Sequence, residues 1–213
     1  MAAEQCSRTE HARWLRRRDV KMDQDLSFDC TRITRRLYAW EIQEARRIFG
    51  TRLVYEAVRI HECAGWPDAL DRAGRRLKRM PPPSVPNAVT LGNSCFFPVR
   101  LPEVLLLPAH VEFFKIPWLM HELAHVWQYQ RFGWIYLAKA ITAQARGGLK
   151  AYEYGGEEGL RKALEQGCKF SDFGFEQQGE FCRAYYYRLA HKEDITAWQP
   201  FVEDIQRDRN NVA

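Results

Sequence analysis

The chain has 213 residues, 46% of them apolar and 28% charged, with seven Trp: proportions of one folded domain that argue against disorder. Its net charge of +5 is concentrated early, since residues 1–80 hold 18 Lys and Arg against 12 Asp and Glu, and residues 81–213 hold 14 against 15. That excess, densest at Arg13, Arg16, Arg17 and Arg18, suits a solvated face or tail better than a nucleic-acid surface, and no apolar stretch reaches the roughly 18–20 residues that span a bilayer.

Residues 1–28 are polar without sustained periodicity and read as a mobile basic tail, helical around residues 12–18, ahead of a single domain over residues 29–213. The Arg run leads into Asp19, Lys21, Asp23 and Asp25 rather than an apolar segment, so no conventional secretion signal is expected and a cytoplasmic location follows. Leu37, Trp40, Ile42, Ala45 and Ile48 recur at helical spacing before Gly50, which predicts a helix over 38–49. Val54 to Ile60 then resembles a short strand.

Pro81, Pro82, Pro83 and Pro86 cannot continue a helix and form a rigid extended connector. Beyond it, Ala88 to Leu91 and Ser94 to Val99 flank Gly92 and Asn93, an edge-hairpin signal. Pro117 and Gly133 then bracket a helix that is apolar nearly all round and therefore buried, so its polar residues His121, Glu122 and His125 must find partners inside the protein.

Further helices are expected at 134–146, 157–167, 175–191 and 195–208, the last capped by Asp194. The class is α+β: a mostly helical domain with a small sheet and a central helix carrying the polar trio. Six cysteines, Cys6, Cys30, Cys63, Cys95, Cys168 and Cys182, show no CxxC pair and read as free thiols of a reducing compartment, with Cys95 and Cys182 as packing residues.

The trio lies in His121-Glu122-Leu123-Ala124-His125, an HExxH sequence. Helical geometry sets the i and i+4 imidazoles on one face about 5–6 Å apart, where they can share one metal ion. Glu122 projects about 100° around the helix, close enough to serve a metal-activated water as general base without itself coordinating. A catalytic zinc takes a third protein ligand, for which Glu176 is the choice, with Asp172, Glu153 and His191 as substitutes. Glu176 and Glu180 share a helix face at i and i+4, leaving Glu180 to orient His121 or His125 from behind. The extended zincin pattern is excluded, because Gln128 and Arg131 stand where its Gly and third His belong. Among Tyr185, Tyr186 and Tyr187, the middle residue, Tyr186, is the candidate phenol donor to a developing oxyanion.

Taken together, Glu44 through Gly50, Val58-Arg59-Ile60, Thr90-Leu91-Gly92-Asn93, His121 through Gln128 and Phe175-Glu176-Gln177-Gln178 resemble the zinc metallopeptidases of the extracellular contractile injection system core domain family. The chain also resembles short bacterial proteins labelled Vgr-related or Rhs-type. The resemblance runs in order over roughly residues 35–190. It implies a zincin-like fold and a bacterial protein associated with secretion or phage-tail-like machinery, including export through such an apparatus.

The function expected from these features is zinc-dependent hydrolysis of peptide bonds in a peptide or protein substrate. An extended substrate would be held along the Ala88–Val99 edge. The competing expectation is a non-catalytic, zinc-stabilised component or cargo of a secretion apparatus, against which Glu122 argues, because a purely structural zinc has no use for a carboxylate beside it. A nucleic-acid binder is a distant third.

Overall fold

The computed structural model describes residues 30–67, 87–134 and 153–207. The expected tail, the proline connector and the helix over 134–146 fall outside these residues, apart from Trp134.

The main elements of the described residues are β1 (Ile33–Arg35), α1 (Ala39–Phe49), β2 (Arg59–Glu62), β3 (Val89–Leu91), β4 (Ser94–Phe96), α2 (Lys115–Phe132), α3 (Gly156–Glu165), α4 (Phe175–Ala190) and α5 (Gln199–Arg207). The α+β class follows directly. The strands form one mixed sheet in the order β1-β2-β4-β3, antiparallel at both outer pairs and parallel between β2 and β4. Gly92 and Asn93 turn β3 back onto β4, and Gly92 takes φ +62°, a conformation that glycine adopts without steric cost. The hairpin therefore lies where the sequence puts it, with β3 as the outer strand.

Ile60, Cys95 and Thr90 sit side by side across β2, β4 and β3, and all three are buried. The row is apolar until it reaches the outer strand, where a hydroxyl takes over. α2 is buried along almost its whole length, from Ile116 to Gln128 with the exception of Trp118. Pro117 occupies its first turn, where an amide would have no intrahelical partner, and Gly133 stops it at φ +60° with its N–H on Tyr129 O at 2.8 Å. α4 packs alongside α2. The core between them joins Leu119, Met120 and Leu123 with Phe181, Cys182 and, from α5, Phe201.

Three expectations need correcting. Residues 54–60 are not one strand: Tyr55–Ala57 forms a 3-10 turn, pinned by the Tyr55 hydroxyl donating to Gly50 O at 2.8 Å, and only Arg59 onward pairs in the sheet. The last helix begins at Gln199, because Asp194 spends its carboxylate on the Thr196 N–H at 2.9 Å and the Thr196 hydroxyl at 2.6 Å, closing a turn ahead of the helix. The cysteines are not all thiols, since Cys30 and Cys63 form a disulfide that joins the approach to β1 with the exit from β2. Antiparallel pairing of β1 with β2 supplies the proximity that spacing alone hides. Cys95 and Cys182 are free and buried. Among the described residues no helix is long and apolar enough to cross a membrane.

Candidate metal centre

α2 and α4 bring three ligand-type side chains to one point. His121 and His125, one helical turn apart, direct Nε2 atoms at each other across 3.1 Å, and Glu176 Oε2 from the first turn of α4 lies 3.6 Å from each. All three side chains are buried. A tetrahedral ion with bonds of about 2.0–2.1 Å separates its ligands by about 3.3 Å, so the triangle has the size of one face of such a site.

The orientation of each ring follows from what holds its other nitrogen. Gln128, fully buried, donates its amide to Phe175 O and Gln178 Oε1, both at 2.9 Å, which leaves its Oε1 to accept from His125 Nδ1 at 2.8 Å. Gln178 continues the chain by donating to Phe173 O at 2.9 Å and Phe170 O at 3.2 Å. His121 Nδ1 faces Glu180 Oε1 at 3.5 Å, and Glu180 is itself bound by Arg183. With both Nδ1 atoms turned toward acceptors, each Nε2 presents a lone pair inward whenever its ring is neutral.

Two lone pairs and a carboxylate then converge, an arrangement that calls for a cation. Without a metal that cation is a proton. Burial alone would push His121 down, but hydrogen bonding and charge from Glu176 and Glu180 outweigh it and raise its pKa to about 9. His125 is raised as well, burial again being overcome by the charge and hydrogen bond of Glu176. Burial would lift both carboxylates, yet the imidazoles hold Glu176 well below the usual carboxylate range, and Arg183 with His121 holds Glu180 at about 2.

Glu122 is buried and held in place, its Oε2 accepting from the Thr90 hydroxyl of β3 at 2.7 Å. Its charge reaches both imidazoles, although less strongly than Glu176 does. The sheet's only inward hydroxyl along the Ile60-Cys95-Thr90 row thus fixes the carboxylate next to the histidines.

Not every candidate joins the cluster. Tyr186 lies ten residues beyond Glu176, about 15 Å along the helix axis, and its buried hydroxyl donates to Glu44 Oε2 at 3.0 Å. Burial and the Glu44 charge push its phenol up. Tyr185 is packed in the core, and Tyr187 stacks on His191 at 3.9 Å. Among the substitute ligands, Asp172 accepts from Lys169 N at 2.8 Å, and His191 Nδ1 lies 2.8 Å from Tyr187 O. Glu153 lends its backbone carbonyl to Gln177. Sequence reasoning named Gln128, Gln178 and Thr90 inside the resembling motifs but gave none of them a part in the site. The signal available was that a helix buried on all sides cannot leave a glutamine unexplained. Compared with known protein families, curated proteins and solved structures, the chain matches none.

Proposed function

We propose that the chain is a zinc-dependent hydrolase, acting on peptide bonds, in which His121, His125 and Glu176 hold the metal and Glu122 is the general base. The convergence of two imidazole lone pairs and a carboxylate, 3.1–3.6 Å apart, carries this reading. Two nitrogens and one oxygen on a cluster of this size suit zinc and leave a fourth position for water. Bound there, zinc supplies a Lewis acid that acidifies water and polarises a carbonyl.

The chain's own groups do the rest. Glu122, fixed by Thr90, takes the proton of the attacking water and returns it to the leaving amine. Gln128 and Glu180 hold the two imidazoles by their outer nitrogens, so the ligands need not reorganise. The outer strand β3, which carries Thr90, offers an edge along which an extended peptide could pair. The resemblance to contractile injection system metallopeptidases agrees with this reading and suggests a zincin-like fold with a secretion or tail-like apparatus as context.

A second reading, a zinc site that only stabilises a component or cargo of such an apparatus, draws support from the burial of His121, Glu122, His125 and Glu176 together. Zinc analysis and a peptidase assay across a broad peptide library separate the two. The wild type should hold one zinc and cleave, Glu122→Gln should keep zinc and lose cleavage, and His125→Ala should lose zinc. A wild type that takes up no zinc after stripping and reloading defeats both readings, whereas zinc binding without cleavage leaves the second.

A further inference from the structure

α4 meets α2 at its fifth residue, Gly179, between Gln178 and Glu180. A methyl group built on Gly179 would lie 2.7 Å from His121 Cε1, 2.8 Å from Nε2 and 3.0 Å from Nδ1. Real side chains do not approach that closely, so one partner would have to move. The backbone offers no reason for glycine here: Gly179 is interior to a helix and is not among the positive-φ glycines, which include Gly50, Gly92 and Gly133. In that setting alanine is the better helix former. What requires glycine is the ring lying on it.

His121 has little freedom to give way. Its Nε2 stands 3.1 Å from His125 Nε2 and 3.6 Å from Glu176 Oε2, while Nδ1 faces Glu180 Oε1 at 3.5 Å. Any rotation that relieved a methyl on Gly179 would carry Nε2 out of the triangle or Nδ1 away from Glu180. All three of the nearest atoms to that methyl belong to His121, so the clash is with the ring and not with the backbone of α2.

We infer that Gly179 is a positioning residue for the metal centre: its missing side chain makes the α4 backbone a floor on which the His121 imidazole lies in register with His125 and Glu176. The inference rests on the zinc-binding reading above. It goes further by assigning a metal-affinity role to a residue that neither coordinates nor hydrogen-bonds the cluster through a side chain.

Zinc affinity by chelator competition, and melting temperature in excess chelator, test it on the full chain as wild type, Gly179→Ala, His121→Ala and the double variant. Gly179→Ala should bind zinc about 10- to 100-fold more weakly, the range for losing the support behind a ligand. The double variant should bind no more weakly than His121→Ala, because the space left by the ring accepts the methyl. In chelator, Gly179→Ala should raise the melting temperature on the His121→Ala background and not on the wild type, a reversal that a general packing role would not produce.

Wild-type affinity in Gly179→Ala overturns the inference, as does a loss that adds in full to that of His121→Ala. If Gly179→Ala alone fails to fold, a folded double variant supports the inference and an unfolded one overturns it. Should His121→Ala bind zinc as tightly as the wild type, or the wild type bind none, the zinc reading itself fails and this inference with it.

Discussion

Among the described residues, the carboxylate pairs Glu41–Glu62 and Glu176–Glu180 form largely buried knots that are neutralised by different means. At the β1 side of the sheet, Glu41 and Glu62 are met by Arg35, which donates to both Glu41 oxygens at 2.7 and 2.8 Å and to Glu62 Oε1 at 2.8 Å, with Arg100 adding a 3.4 Å contact to Glu62. Between α2 and α4, Glu176 and Glu180 are met by His121 and His125, with Arg183 on the outer carboxylate. A guanidinium keeps its charge at every accessible pH, so the first knot cannot give up its cation. An imidazole carries its charge as a removable proton, and the space that proton occupies can go to a metal ion. The sequence shows comparable acid and base content in both places, but only the second knot has an exchangeable cation.

The comparison can be broken from either side. Glu41→Ala should have the largest effect, about 3–5 kcal/mol of stability by denaturant unfolding, because it removes a fully buried carboxylate that takes two hydrogen bonds from the half-buried Arg35 and leaves that cation to Glu62 alone, while zinc affinity of the folded protein should stay at the wild-type value. Equal damage to zinc affinity would merge the two knots into one. Adding zinc at a thousand times its dissociation constant should stabilise the wild type by about 4 kcal/mol and shift its melting temperature, with no shift in His125→Ala.

The third test is pH. His121 has its folded pKa raised from 6.5 to about 9, so in chelator its contribution, at most about 3 kcal/mol, is complete below 6.5 and disappears as pH climbs through 9. His125, Glu176, Glu180 and Glu122 all face this group, with Arg183 beyond Glu180. Zinc-loaded protein should lack this slope, since the metal takes the proton's place, and unfolding curves from pH 6 to 10 with and without zinc would show it. Smallest of the four, Gln128→Leu should weaken zinc binding about 10- to 100-fold, roughly 1.4–2.8 kcal/mol, by releasing His125 Nδ1. An unchanged affinity would mean that the orientation of His125 is set by packing alone.

What was legible in the sequence follows from distance along the chain. His121 and His125 on one face, and Glu176 and Glu180 on another, are consequences of a single helical period and need only local geometry. The burial of α2 was likewise readable, because its apolar residues circle the helix between Pro117 and Gly133. Gln128 could be named as part of a resembling motif and as a residue excluding another pattern, but not given a role, since its partners Phe175 and Gln178 lie 47 and 50 residues away. Thr90 reads as an ordinary strand residue until the hairpin register places it over Glu122, 32 residues later. The stretch from Val54 to Ile60 misled for the opposite reason: its β-prone composition is overruled by one hydrogen bond from Tyr55 back to Gly50. Composition also hid the Cys30–Cys63 bond, which depends on β1 and β2 meeting.

That bond gives the Arg35 side of the sheet a chemical lock of its own. It closes a loop across a sequence separation of 33, worth about 3–4 kcal/mol if chain entropy dominates, and none of the cluster ligands belongs to that loop. If the proposed zinc is bound, a reductant and a chelator are orthogonal reagents for this molecule. On the zinc reading, dithiothreitol should loosen the corner where β1 begins and leave the metal in place, and EDTA should strip the metal and leave the corner clasped.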